Sequence, residues 1–149
     1  MTFEEADAIN HAVRLLTING RARAGELLAA IGLHPGQEVL LLELARGGPM
    51  IHSQLSKALG CEPPSITQMA AKLEAAGHVA RRPCASDKRA SVLELTDSGR
   101  SLITDIERIW RTLAEETVRG LPAAAVASLS STLLHLGRNL EAARRSVSG

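Results

Sequence analysis

The fold is decided by residues 53–96, which read SQLSKALGCEPPSITQMAAKLEAAGHVARRPCASDKRASVLELT. The stretch opens with a short helical segment that ends at Gly60. A second helix begins at Pro63 and Pro64, because proline suits the first turn of a helix. Gly77 then fits the left-handed cap that ends this second helix. The pattern predicts two short helices separated by a tight turn.

A hairpin with a basic tip is predicted next. Two short extended runs, His78–Arg82 and Ala90–Leu95, lie on either side of the polar stretch 83–89. The formal net charge of the whole chain is only +1. Within residues 77–92, however, Asp87 is the one acidic residue, and the basic residues are Arg81, Arg82, Lys88 and Arg89. The sequence therefore predicts that positive charge is concentrated in the hairpin, whereas the chain as a whole is nearly neutral.

Long helices are predicted on both sides of this stretch. Apolar residues recur near the helical period from Phe3 to Ile31, and another helix is expected to start near Pro35. Thr96 is placed to cap a long helix after the hairpin. The last helix carries an apolar seam in steps of three and four, as in a coiled coil: Val126, Leu129, Leu133, Leu136 and Leu140. The predicted fold class is mainly α with a small β-hairpin wing.

Composition narrows the class of protein. A chain of 149 residues with 45% apolar side chains is long enough to bury a core. Aromatic residues make up only 1%, which argues against a protein that stacks single-stranded nucleic acid. Two cysteines without a CxxC motif, an acidic N-terminus and no long apolar run favour the reducing cytoplasm, with no membrane segment.

The order of helix, tight turn, helix and basic hairpin is that of a winged helix-turn-helix, a double-stranded DNA reader. In the helix that starts at Pro63, one face is apolar and consists of Ile66, Met69, Ala70 and Leu73. The other face is polar and consists of Ser65, Thr67, Gln68 and Lys72. Short hydroxyl and amide side chains near a helix N-terminus reach base edges in the major groove. The alternative is an ordinary amphipathic surface helix.

The residues of this region resemble the MarR/SlyA family. The likeness is carried by Asp87 and Arg89 in a D-x-R motif and by Leu95, Thr96 and Gly99 in an L-T-x-x-G motif. It is close over residues 50–100 and rests on helix pattern alone elsewhere. Gln68 departs from the family, in which many members carry arginine, so a strong guanine contact is not expected there.

The resemblance implies a single MarR-type domain over residues 1–149. Residues 34–97 would form the winged helix lobe, and residues 1–33 and 98–149 would form a helical dimerisation region. It also implies a homodimer on a pseudo-palindromic operator, often released by a small molecule. We therefore expect a transcription regulator, most simply a repressor.

Each charged candidate for a DNA contact is assigned a role and an alternative to it. Arg89 at the tip is expected to enter the minor groove, where narrow A·T-rich DNA concentrates negative potential. Asp87 is expected to orient Arg89 or Arg82 through a charge-assisted hydrogen bond. Lys57, Arg81 and Lys88 are candidates for phosphate contacts, which position a protein without specifying sequence. The alternative for each is a solvated surface charge or, for Asp87, a turn former.

Two further surfaces are singled out. The seam of the last helix, together with Ile9, Val13 and Leu16 of the first helix, is predicted to form the dimer interface. Trp110 is a candidate for lining a pocket for a small aromatic or anionic ligand, the alternative being core packing.

Other functions find less support. Cys61 and Cys84 offer a thiol redox sensor as an alternative mechanism, because basic neighbours lower the pKa of a thiol. Together with His52 and His78 they do not match a structural zinc spacing, so no metal or other cofactor is expected. A helical protein-interaction module would leave the basic hairpin unexplained. No G-x-S-x-G, P-loop or H-E-x-x-H motif is present, so an enzyme is not expected.

Overall fold

A computed structural model describes residues 1–86 and 90–147, in which six helices and three strands are formed. The helices are α1 (Phe3–Ala29), α2 (Gln37–Gly47), α3 (His52–Leu59), α4 (Pro63–Ala75), α5 (Asp97–Thr117) and α6 (Ala123–Val147). The strands are β1 (Met50–Ile51), β2 (Val79–Pro83) and β3 (Ser91–Leu95). The predicted class, mainly helical with a small antiparallel sheet in a winged helix arrangement, is confirmed. The chain divides into two compact units, residues 1–113 and 114–149.

The sheet has one more strand than the hairpin that the sequence predicts. β1 pairs antiparallel with β3, with Met50 opposite Leu93 and Ile51 opposite Val92, and β3 pairs with β2 on its other side. A strand of two residues is too short to show the alternation by which strands are recognised in sequence. The additional pairing makes β3 the central strand, which ties the wing to the segment before α3.

Helix α2 begins at Gln37, two residues later than its expected start near Pro35. The reason is Gly36, whose φ of 104° lies outside the helical region and suits glycine alone. The side-chain oxygen of Gln37 accepts the backbone N–H of His34 at 2.8 Å. This hydrogen bond stabilises the loop between α1 and α2.

The core of the first unit is built from leucine and isoleucine. The largest fully buried side chains are Leu28, Leu33, Leu40, Leu41, Leu55, Ile66, Leu73, Leu93 and Ile106. The apolar face predicted for α4 is buried at Ile66, Ala70 and Leu73 and half-buried at Met69. Because this face packs into the core, the orientation of α4 is fixed and its polar face is turned outward.

The L-T-x-x-G motif joins the base of the wing to the start of α5. The hydroxyl of Thr96 accepts the backbone N–H of Gly99 at 3.1 Å, as predicted for a cap, and donates to the carbonyl of Gly77 at 2.6 Å. Gly99 is buried against His78, so closely that a Cβ there would overlap the carbonyl oxygen of His78. The cap formed by Thr96 and the close packing of Gly99 on His78 therefore explain the threonine and the glycine of the motif.

In the second unit, α6 leaves most of its apolar seam uncovered in the single chain. Val126, Leu133, Leu136 and Leu140 are exposed, and Leu129 is half-buried. Leu140 is 66% exposed, which is unusual for a leucine at a regularly repeated position. An apolar stripe of this kind indicates an interface.

Glu38 is a buried carboxyl that sequence patterns did not reveal. Its side chain is only 8% exposed, and Oε2 accepts the backbone N–H of Gly36 at 2.7 Å. Burial raises the pKa of Glu38, and hydrogen bonds from the backbone N–H groups of Gly36 and Glu38 itself offset part of that effect. A carboxyl whose folded pKa is raised contributes stability below its unfolded pKa and loses it as pH rises through the folded pKa.

Glu38→Gln is therefore expected to raise the melting temperature at pH 8, where the parent carries a buried charge. The advantage should shrink as pH falls, because protonation of the parent carboxyl then removes the buried charge. Thermal melts of parent and variant across this range measure the difference, with Glu43→Gln on the same helix as the control for a change of charge. If the advantage of the variant instead grew as pH fell, the raised pKa assigned to Glu38 would be contradicted.

Candidate nucleic-acid interface

The polar face of α4 is exposed over its whole length. Ser65, Thr67, Gln68 and Lys72 are all exposed, as the sequence predicted. The Thr67 hydroxyl donates to the carbonyl of Pro63 at 3.0 Å. This leaves the Thr67 oxygen as an acceptor, so on DNA it would favour a base amino group such as cytosine N4 or adenine N6. Gln68 and Lys72 extend the same face towards the C-terminal half of the helix.

A tight turn fixes α3 relative to α4. Gly60 adopts a left-handed conformation with φ of 61°, and the backbone N–H of Cys61 donates to the carbonyl of Ser56 at 3.2 Å. The Ser56 hydroxyl donates back to the Cys61 carbonyl at 2.5 Å. Lys57, in the last turn of α3, is exposed beside this turn. The hydrogen-bonded turn therefore places Lys57 at the end of α3 that leads into α4.

The two arginines of β2 are both paired with carboxylates. Arg82 Nε donates to Glu94 Oε2 at 2.8 Å across the β2–β3 pair, and this bond raises the pKa of Arg82. Arg81 Nη2 lies 3.5 Å from Glu74 Oε2 on α4, and its Nη1 lies 3.4 Å from Ser91 Oγ. Sequence reasoning missed both acidic partners. The antiparallel register of the hairpin, which places Glu94 within reach of Arg82, could have identified this partner.

The tip of the wing contains the remaining predicted contacts. Asp87, Lys88 and Arg89 lie outside the described residues, so their assigned roles stay predictions. For Arg82, one of the two arginines that Asp87 was expected to orient, the partner in the structure is Glu94. The role of Asp87, to orient Arg89 or Arg82, therefore stays a prediction.

His52 lies close to the Arg81–Glu74 pair at the base of the wing. Its pKa is lowered, first because the ring is partly buried and then because of the positive charge of Arg81, with Glu74 acting in the opposite direction. A neutral His52 adds no positive charge to the wing at neutral pH. The basic character of this region therefore depends on its arginines and lysines.

Trp110 does not pack into the core of the single chain. Its side chain is 45% exposed on α5, so the alternative of core packing is wrong for the isolated protomer. Its assignment to a ligand pocket stays a prediction. The Cys61 thiol lies 3.5 Å from the Leu59 carbonyl, and that of Cys84 lies 3.2 Å from the Ser86 hydroxyl. The thiol redox sensor stays an alternative prediction.

Within residues 1–86 and 90–147, no group of three or more His, Cys, Asp or Glu side chains is arranged to hold a metal ion. Over the same part of the chain, no helix is both long and apolar enough to cross a membrane.

The fold and the exposed helix define a winged helix protein, and solved structures match it closely. A mutant of MarR from E. coli complexed with operator DNA gives a TM-score of 0.80 at 22% identity, covering 91% of this chain and 98% of that one. The transcriptional regulator SlyA gives 0.82 at 16% identity, covering 93% and 98%. BpsR of Bordetella bronchiseptica, whose DNA binding is regulated by 6-hydroxynicotinic acid, gives 0.79 at 20% identity, covering 87% and 92%.

A family match covers the central part of the sequence. Residues 33–91, the segment that contains α2, β1, α3, α4 and β2, match the MarR family. This segment is similar to the MarR family, and the resemblance seen in the sequence is confirmed. Proteins of this family are transcription regulators.

Proposed function

We propose that this protein is a repressor that binds double-stranded operator DNA as a homodimer and is released from it by a small molecule. The observation that carries the proposal is the outward polar face of α4, held by the burial of its opposite face. In winged helix proteins a helix of this kind enters the major groove. The solved complex of E. coli MarR with operator DNA supports the same use of this fold.

Sequence reading is assigned to the first half of α4 and to the wing. Ser65, Thr67 and Gln68 are exposed in the first two turns, where short side chains approach base edges. Lys57, Arg81, Arg82, Lys72 and Lys88 supply charge for the phosphates, and Arg89 is assigned to the minor groove. The Arg81 and Arg82 pairs are exposed, so the guanidinium groups exchange carboxylate for phosphate at little cost.

The homodimer is proposed from two exposed apolar stripes. In the single chain Ile9, Val13 and Leu16 on α1 are between 47% and 53% exposed. On α6, the exposed seam Val126, Leu133, Leu136 and Leu140 has the same character. We assign residues 1–33 and 98–149 to dimerisation and residues 34–97 to DNA binding within one MarR-type domain. A twofold axis then predicts an inverted-repeat operator, with half-sites about 34 to 36 Å apart or a multiple of that.

Ligand release requires a molecule that binds the DNA-free state more tightly than the DNA-bound state. BpsR, whose DNA binding is regulated by 6-hydroxynicotinic acid, supports the existence of such coupling on this fold. If the ligand acts at Trp110, binding should change the fluorescence of this one tryptophan and operator affinity together. A fluorescence change without a change in affinity would remove Trp110 from the regulatory mechanism.

Arg89→Ala is expected to weaken specific operator binding by about 1 to 3 kcal/mol, the range for loss of one good groove contact. Because Arg89 lies in a polar stretch of the sequence, we expect that its removal costs no apolar packing. Titration against operator and scrambled duplex measures the effect, and light scattering checks that the dimer persists. A dimeric variant that binds operator like the parent would remove the wing from the mechanism.

Lys57→Ala and Gln68→Ala should change DNA binding in different ways. Loss of Lys57 removes a phosphate contact, so affinity should fall similarly for all duplexes and the salt dependence should become shallower. Loss of Gln68 should instead relax the preference at one base pair within each half-site. Titrations at two salt concentrations against operators with single changes separate the two patterns. If both variants behave alike, the assignment of Gln68 to a base edge is wrong.

A further inference from the structure

Two acidic residues lie beside the arginines of β2, which are candidates for contacts to DNA. Glu74 of α4 pairs with Arg81, and Glu94 of β3 pairs with Arg82. A carboxylate repels the phosphates of DNA, so neither residue supplies a phosphate contact of its own. The pair of Glu94 is the closer one, at 2.8 Å against 3.5 Å. The stronger effect on DNA binding is therefore expected from Glu94.

The register of the sheet places Arg82 and Glu94 on the same face of the hairpin. Ala80 lies opposite Glu94, and Arg82 lies two residues further along β2. Because alternate residues of a strand point to the same face, Arg82 and Glu94 form a diagonal pair, which long side chains can bridge. Both side chains remain partly exposed, at 48% for Arg82 and 35% for Glu94, so the pair is open to a ligand from solvent.

A phosphate and the Glu94 carboxylate would bind the same group of Arg82. Arginine binds a phosphate most strongly through two parallel N–H···O bonds along one edge of its planar guanidinium group. The hydrogen bond to Glu94 uses Nε, which belongs to one of these edges. A phosphate at that edge has to displace Glu94, and a phosphate at the other edge stands close to a second negative charge. Both arrangements weaken the contact between Arg82 and DNA.

We propose that Glu94 competes with DNA phosphate for Arg82 and thereby lowers the affinity of the protein for every duplex. Phosphates carry no sequence information, so the penalty applies to operator and to other DNA in the same way. The base contacts proposed for α4 do not involve this pair. Glu94 therefore sets the strength of binding and not the sequence that is read. This competition rests on the proposed DNA-binding function.

Glu94→Gln tests the competition, because it removes the charge and keeps an oxygen that can accept the hydrogen bond from Arg82. The affinity of the full-length chain is expected to rise about two- to fivefold, the range that an exposed ion pair supplies. The rise should be similar for a duplex selected from random fragments and for a scrambled version of it. One more phosphate contact should also steepen the slope of log Kd against log salt by up to about 0.9. Fluorescence anisotropy titrations at several salt concentrations measure both quantities.

Glu26→Gln is the matched control. Glu26 pairs with Arg23 at 2.9 Å on α1, outside residues 34–97, which we assign to DNA binding. The same loss of one negative charge should leave the affinity for DNA and its salt dependence unchanged. If Glu26→Gln raised the affinity as much as Glu94→Gln, net charge alone would account for the effect and the competition for Arg82 would be refuted.

A double-mutant cycle with Arg82→Gln separates competition from orientation. Under competition, loss of Arg82 costs little affinity in the parent and more in the Glu94→Gln protein, where the arginine is available to phosphate. If Glu94 instead oriented Arg82 towards DNA, Glu94→Gln would weaken binding, and that result would overturn the inference. A gain from Glu94→Gln that persists unchanged without Arg82 would overturn it as well. An exposed ion pair contributes little to folding, so thermal melts should show all these variants close to the parent.

The outcomes also separate this competition from the proposed function. A parent chain that binds no duplex would contradict the DNA-binding function, and the role of Glu94 with it. A parent chain that binds its selected duplex, together with a Glu94→Gln protein of the same affinity and the same salt dependence, would refute the role of Glu94 alone.

Discussion

Gly99→Ala is expected to lower the free energy of unfolding by about 3 kcal/mol or more, at the upper end of the cost of overpacking a core. The added Cβ would overlap the carbonyl oxygen of His78 and lie 3.0 Å from its carbonyl carbon. It would also lie 3.2 Å from Leu95 Cδ2. The main obstacle is backbone at the base of the wing, which accepts the N–H of Thr96 and has little freedom to move. Denaturant titration at fixed protein concentration measures the loss.

Gly47→Ala provides the matched control. A Cβ at Gly47 meets only Met50, at its terminal methyl group and at Sδ, 3.7 Å away. The end of a methionine side chain moves aside easily, so this change should cost little. Nearly equal stability of the Gly99→Ala protein and the parent would mean that α5 does not pack on the wing as described.

Leu133→Glu is expected to convert the proposed dimer into a monomer. Leu133 is 42% exposed in the single chain, so the charge is tolerated by the isolated helix. In a dimer it would be repeated across the twofold axis and buried without a partner, at a high cost in solvation. Light scattering at micromolar concentration measures the mass, and circular dichroism checks that the helices persist.

Leu134→Glu is the control for Leu133→Glu. Leu134 is 59% exposed on the same helix but lies about 100° around it from Leu133, outside the three-and-four seam. It should therefore leave the mass that of a dimer. A dimeric Leu133→Glu protein, or equal disruption by both changes, would contradict the assignment of the seam.

Much of the fold could be predicted because local and tertiary signals agree in this chain. The buried positions Ile66, Ala70 and Leu73 follow from helical periodicity, and the cap at Thr96 follows from its position before a helical run. The left-handed glycine that ends α4 is Gly77, with φ of 78°. Each of these features depends on neighbours a few residues away, which a sequence shows directly.

Features that depend on distant segments could not be predicted. The strand at Met50 exists because β3 offers it a pairing edge, and the burial of Glu38 depends on how α2 packs. The carboxylate partners of Arg81 and Arg82 required the register of the sheet and the position of α4.

The sequence predicted which side chains of α4 are exposed, but not the hydrogen bonds that they make. The exposed set on α4 follows from the same periodicity that predicts its buried face. The hydrogen bond that leaves Thr67 as an acceptor depends on helix geometry that residue type alone does not specify. The exposure of Trp110 contradicts the usual tendency of a large aromatic side chain to be buried.

Selection of bound fragments from random DNA duplexes tests the central claim most directly. The full-length chain is expected to enrich an inverted repeat whose half-sites lie one helical turn, or a multiple of it, apart. The same pool selected with Leu133→Glu should enrich the repeat far less. Recovery of a single unrepeated half-site would contradict the dimeric mode of binding. A failure to enrich any duplex would contradict sequence-specific DNA recognition and favour a helical protein-interaction module in its place.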